Sequence, residues 1–351
     1  MKRLPRRPDR FDALDLYTAV GREQGFRLGE EADLDAFLTL LRASLKSSQT
    51  NDNVLHGKRV EALFGHVAGA LGACQLVKAE DTGDVFAATA EIQPPDYRLV
   101  LNDGSQMFVE VKNCHLRYPA KFSLKKRYLE KLQRYADMQA VPLKIAIFFS
   151  RMNKWCLLSL RAFKDDGDRL SIGYIGAVAR SEMATLGDAM VATLPELRFE
   201  LLGRLGELNA PDADGRAVIT FREARFFCAG KEIADAADRD IAFYLIRFGD
   251  WPDDGMEAIL HDKKLLGVRI TSRPDNVPEG QQMAIIGNVS SMISAAYAEH
   301  TVYDQRPIRL DAKCDPDFFE LQIPIDHKSA ALPLWRFIVQ PNWEFREPEV
   351  D

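Results

Sequence analysis

The stretch 94–113, PPDYRLVLNDGSQMFVEVKN, limits the possible folds more than any other part of the chain. It reads as a β-hairpin. Tyr97, Leu99 and Leu101 alternate with Arg98 and Val100. Asn102, Asp103, Gly104 and Ser105 supply a turn, with glycine available for a positive φ. Met107, Val109 and Val111 then alternate with Phe108, Glu110 and Lys112 on the return strand. A period of two places Glu110 and Lys112 on one face. Asp96, at the mouth of the hairpin, can reach the same spot. Two carboxylates and an amine then converge on a strand that is otherwise apolar.

That set suits a divalent metal and a phosphodiester. Asp96, Glu110 and the carbonyl of Val111 offer hard oxygen ligands to Mg²⁺ or Mn²⁺. Such a metal polarises a phosphate and acidifies a bound water. Lys112 is placed to neutralise developing charge or to orient the attacking water. The plainer alternative is a solvated face on which Glu110 and Lys112 form a surface ion pair.

Pro95 and Asp96, followed by Glu110, Val111 and Lys112, resemble the PD-(D/E)xK nuclease superfamily. The resemblance spans roughly residues 54–165. It implies an α/β, overall α+β, restriction-endonuclease-like core with a mixed central sheet flanked by helices. It also implies metal-dependent cleavage of nucleic acid, DNA before RNA. In many members of that superfamily a helical Glu ahead of the hairpin completes the metal site. Glu61 is the only acidic residue on the helix expected over 54–71, so it takes that place by resemblance. Its alternative role is a surface pair with Lys58 or Arg59. Recombination-type relatives carry Gln-x-x-x-Tyr on the helix after the hairpin. Here Tyr135 fits the Tyr position and Lys131 stands where Gln is expected.

Charge is distributed unevenly. Residues 1–164 carry 26 Lys and Arg against 19 Asp and Glu, whereas the remainder carries 20 against 33. Within 112–164 the ratio is 13 to 2, the surplus a phosphate backbone requires. Lys125, Lys126, Lys131, Arg134 and Tyr135 lie on a helix expected over 123–139 and are the candidate nucleic-acid contacts. The five cysteines are scattered, with no CxxC pair, which points to a reducing cytoplasm and away from structural zinc or an iron–sulfur cluster. They read as small buried hydrophobes. No apolar run approaches a membrane span, and no secretory signal follows the basic first residues. His56 and His66 read as surface or packing histidines.

Three units are expected. Residues 1–53 form a basic arm, without expected order over 1–10, and a helix over 31–46. Residues 54–208 form the nuclease-like domain, with strands over 74–79, 144–149 and 155–160, an edge strand over 171–179 and a helix over 188–206. Residues 217–351 form an α+β domain for recognition, sensing or dimerisation, with 206–217 as the boundary. Its strands are expected over 218–227, 241–248 and 265–271, with strand-like pieces over 318–325 and 334–340, and a helix over 288–298. A homodimer through this domain and a protein activator are compatible partners. The alternative function is a catalytically silent nucleic-acid-binding or sensor subunit.

Overall fold

The structure is a computed structural model that describes residues 1–4, 9, 12–207, 212–277, 279–324 and 326–346. Three helices come first: α1 (Asp12–Gln24), α2 (Glu31–Gln49) and α3 (Asp52–Ala70). Then follow β1 (Cys74–Ala79), β2 (Tyr97–Leu101), β3 (Gln106–Cys114), β4 (Phe122–Lys125), α4 (Lys126–Met138), β5 (Leu143–Phe149) and β6 (Lys154–Ser159). The expected hairpin is β2 and β3, with Tyr97 opposite Val109 and Leu99 opposite Met107. The main sheet runs β1-β2-β3-β5-β6. Its pairs are antiparallel except β3 with β5, so the sheet is mixed, as expected.

The period of two sorts β3 between two cores. Met107, Val109 and Val111 meet Val60, Leu63, Phe64 and Val67 of α3. Phe108 meets Leu129, Leu132 and Ala136 of α4, with Ile145, Ile147 and Leu158 of the sheet. A central strand covered on both faces should be continuously apolar. Glu110 and Lys112 break that rule, and both point toward the α4 side.

Short elements continue the chain: β7 (Lys164–Asp165) and β8 (Arg169–Ile172), which join β4 in a small sheet, and α5 (Tyr174–Ala179). The edge strand expected over 171–179 thus stops at Ile172 and becomes a helix. The helix expected over 188–206 is instead two strands, β9 (Met190–Thr193) and β10 (Leu197–Gly203). Pro195 removes an amide donor, and Glu196 takes a positive φ of 84°, so the chain turns there.

Beyond lie β11 (Phe221–Cys228), β12 (Lys231–Glu232), α6 (Ala236–Phe248), β13 (Asp253–His261), β14 (Lys264–Ser272), β15 (Ala284–Asn288), α7 (Val289–Thr301), β16 (Val302–Tyr303), β17 (Arg306–Pro307) and β18 (Leu334–Phe337). The strand expected over 241–248 is the second half of helix α6. Asp235 caps that helix by accepting the Asp238 N–H. The piece expected as strand over 318–325 is a short helical turn over Pro316–Phe319 followed by irregular chain to 324, with 325 outside the described residues. The second sheet runs β12-β11-β10-β14-β13, and β15-β9-β18 forms a third. Both β9 and β10 precede the 206–217 stretch yet pair with strands that follow it. Hydrogen bonds therefore cross the expected boundary, of which residues 208–211 lie outside the described residues.

The far part of the chain also completes the first core. Ile293, Ala296 and Tyr297 of α7 pack with α3 and with Trp155 and Leu157 of β6. The Trp155 indole N–H donates to Ser294 Oγ at 2.9 Å. The described part of the N-terminal arm is docked rather than loose. Arg3 pairs with Asp311 at 2.8 Å, and the Met1 carbonyl accepts the Asp317 N–H; residues 5–8 and 10 lie outside the described residues. Four cysteines are buried, Cys314 is half-buried, and all five are free, as their scatter suggested.

Two outcomes follow from this packing. Trp155→Ala should lower unfolding free energy by about 3–5 kcal/mol, read from denaturant melts. A fragment of residues 54–208 alone, deprived of α7, should lack a cooperative unfolding transition by near-UV circular dichroism.

Candidate metal and nucleic-acid site

The strand register brings Asp96, Glu110 and Lys112 together. Asp96 immediately precedes β2 and falls opposite Glu110, one step beyond the Tyr97–Val109 pair. Its Oδ2 accepts the Val111 N–H at 2.6 Å. Val111 therefore meets Asp96 through its N–H, the opposite polarity to the carbonyl expected at a metal. Glu110 is 2% exposed. Its Oε1 accepts from Lys112 Nζ and from the Tyr128 hydroxyl. Lys112 Nζ also donates to Tyr128 Oη at 3.1 Å and lies 5.1 Å from the ring centroid. Asp96, Lys112 and Tyr128, all half-buried, thus form one cluster around the buried Glu110, not a solvated face.

The charges do not balance. Burial and then the neighbouring Glu110 push the Asp96 carboxyl up to about 7. Burial works against the charge on Lys112, but Glu110 and Tyr128 outweigh it and raise its affinity for a proton. Burial and Glu110 likewise raise Tyr128, which stays a neutral hydroxyl donor. Two carboxylates thus share one cation. Asp96 Oδ1 and Glu110 Oε2 are left as hard oxygen donors. That set fits Mg²⁺ or Mn²⁺, which bind through one or two carboxylates with water and phosphate completing the shell. It does not make a three-carboxylate cage. Among the described residues, no three His, Cys, Asp or Glu side chains converge as a metal cluster.

Glu61, assigned by resemblance to the metal site, pairs instead with Lys58 at 2.6 Å. Helix α3 lies on the sheet face opposite Glu110, which is why its carboxylate does not join the pair. Its field still reaches Asp96 and adds to the upward push there. His66 is buried and bonds Asp311 at 2.9 Å, a packing role.

The basic side chains of α4 are partly occupied. Lys131 and Arg134 lie 3.8 and 3.9 Å from Glu91, and Arg127 lies 3.5 Å from the same residue. Lys126 pairs with Asp165 at 2.6 Å. Lys125 is exposed and makes no ion pair among the described residues. The Tyr135 hydroxyl donates to Glu80 Oε1 at 2.7 Å, and its ring packs on Phe108. The tyrosine that reaches the cluster is Tyr128, one helical turn before Lys131 and two before Tyr135. In sequence it is one member of an apolar stripe and carries no mark of its own. Glu80 and Glu91 were equally invisible, because they arrive from the irregular segment between β1 and β2.

No family model matches the chain, and no curated protein matches it. Among solved structures, the chain is similar to the Holliday junction resolvase Hjc of Archaeoglobus fulgidus, an archaeal hyperthermophile. The two are 16% identical, over 32% of this chain and 88% of that one, with a TM-score of 0.25. At that level of likeness the chemistry of the site rests on its own side chains.

The raised Asp96 has a pH signature. An unfolded Asp titrates near 4, so between about 4 and 7 the folded chain binds the extra proton. Without metal, this group's contribution to stability falls as pH rises through that window and stays low above it. Asp96→Asn should remove the decline. In EDTA at pH 8 it should be more stable than the parent by about 1–3 kcal/mol. Melting temperatures across pH 4–8 check this, and parallel curves for the two proteins would refute it.

Proposed function

We propose that the chain is a divalent-metal-dependent nuclease that hydrolyses phosphodiester bonds in DNA. The observation that carries this reading is Glu110: a carboxylate buried in the central strand, beside Asp96 and bonded to Lys112. Nothing in packing calls for such a group there, and a buried carboxylate costs stability unless it is paired and used. Asp96 and Glu110 would hold Mg²⁺ or Mn²⁺. Bound there, the ion would supply Lewis-acid polarisation of a phosphoryl oxygen and a more acidic water.

The chain's own groups have distinct tasks. Lys112 carries a fixed positive charge to the place where charge develops on phosphate, or holds the water that attacks. Tyr128 fixes the Glu110 carboxylate by donating to the oxygen that Lys112 also holds. Lys125 is free to take a backbone phosphate. Lys126, Lys131 and Arg134 would reach phosphates by exchanging Asp165 and Glu91 for them. Tyr135, held by Glu80, would flank that path. Residues 217–351 would recognise the target, sense an activator or hold a second copy of the chain.

A second reading has its own support. Lys112 and Tyr128 already satisfy one oxygen of Glu110, and the Val111 N–H satisfies one of Asp96. A cluster in which one oxygen of each carboxylate is already held, and a proton on Asp96 balances the charge, suits a silent nucleic-acid-binding or sensor subunit.

Cleavage of supercoiled plasmid, linear duplex and single-stranded DNA, with Mg²⁺, Mn²⁺ or EDTA, separates the two. The nuclease reading expects metal-dependent cutting that Glu110→Ala abolishes. Lys112→Ala should lose about 100-fold or more in rate with binding kept. Lys125→Ala should weaken binding and reduce its salt dependence by about one phosphate contact. Wild type that binds DNA but never cuts it supports the silent subunit.

A further inference from the structure

A cavity of about 480 Å³ lies between α3, the C-terminal ends of β3 and β5, and α7. It sits on the sheet face away from Glu110 and Lys112, since Asn113 follows the parity of Val109 and Val111. The space has a clear origin. Ser294, Ala295 and Ala298 are the α7 side chains facing it, and all are small.

The lining is mostly apolar, with Val60, Leu63, Phe148 and Val302, and carries a set of polar and basic groups. Asn53, His56 and Arg59 come from one side of α3, and Asn113, His115 and Ser150 from the strand ends. Among the described residues, no Asp or Glu lines the cavity. Arg59 is only 7% exposed and makes no ion pair among the described residues. Its Nε donates to Thr301 Oγ1 at 2.9 Å, and its guanidinium lies 5.5 Å from the Tyr297 ring centroid. Those contacts hold the side chain in place and leave its charge uncompensated. A buried cation without a counter-ion is costly, and an anion is what removes the cost. The Asn113 Oδ1 is also buried and lacks a hydrogen-bond partner. Burial, then Arg151, His56 and Arg117, hold the His115 imidazole below its ordinary value, which reports the same positive surroundings.

We propose that this cavity is a second binding site that takes a phosphate-bearing ligand of mononucleotide size, with Arg59 as its charged anchor. Arg59 binds the phosphate, and His56 and His115 donate or accept beside it. The orphan Asn113 oxygen is an acceptor available to a ligand N–H or O–H. The volume lies in the range of small-molecule sites. The phosphate has two sources, a free nucleotide or the end of a nucleic-acid strand. The inference goes beyond the nuclease reading and uses none of its residues.

Titration calorimetry of the full chain tests it, with AMP, inorganic phosphate and a 5′-phosphorylated dinucleotide as probes. At least one probe should bind saturably. Asn113→Asp, which sets a carboxylate in the cavity, should weaken that binding about tenfold or more. The His56→Ala, His115→Ala double variant changes two accessible positions, keeps the Arg59 contacts, and should weaken it likewise. Glu110→Ala should bind as wild type, so loss of cutting and loss of this site are read separately. Binding of AMP or phosphate identifies a free ligand as the source, and binding of the dinucleotide alone identifies a strand end. The proposal is overturned if no probe binds, or if folded cavity variants bind as tightly as wild type.

Discussion

The carboxylate of Glu110 is the constraint around which the first half of the molecule is arranged. It sits in a strand that two apolar layers cover, where an unpaired charge would be expensive. Lys112 and Tyr128 meet that cost from the α4 side. Asp96 then arrives opposite, held by the Val111 N–H, and has no cation of its own. Its proton affinity rises because burial disfavours its charge and Glu110 repels it, more than Lys112 and the Val111 N–H offset. The core therefore carries a local electrostatic deficit at neutral pH, in a place that packing alone would have filled with Val or Ile. Deficits of this kind are characteristic of sites that await a charged partner.

The second half of the chain is not an appendage to this core. Helix α7 lies against α3 and β6, and the Asp188 carboxylate accepts from the Ser290 N–H at 2.9 Å to seat its first turn. Arg59 of α3 reaches Thr301 at the other end of the same helix. The two faces of β3 thus have different owners. One is closed by its sequence neighbour α4 and carries the charged cluster. The other is closed by α3 together with α7, which leave a cationic cavity between them.

Local pattern made the first half readable. The alternation through 97–112 assigned each side chain to a face, and the structure keeps that assignment. The Pro-Asp start and the Glu-x-Lys spacing brought three of the four cluster residues into view. Tyr128 escaped because a tyrosine on an amphipathic helix looks the same whether it packs or donates. Glu61 was placed by resemblance, and the pair it actually makes with Lys58 was its plainer alternative. In the second half, Ile241 to Phe248 is rich in β-branched and aromatic residues and reads as a strand. Its helical state depends on a cap at Asp235 and on burial of Ile241, Ala242 and Leu245. Strands β9 and β10 were hidden for the complementary reason. Their partners β11, β14, β15 and β18 lie further along the chain, and such pairing leaves no trace in a local window.

The seating of α7 in the first core has a consequence for how the protein is made. Strand β5 leaves the ribosome about 140 residues before α7 does, a lag on the order of ten seconds. During that time the apolar flank of α3 has no cover and the walls of the cavity are incomplete. The charged cluster does not wait for this step, because α3 and α4, which cover the two faces of β3, both precede β5 in the chain. The first core is thus closed only after the far half of the chain has been made.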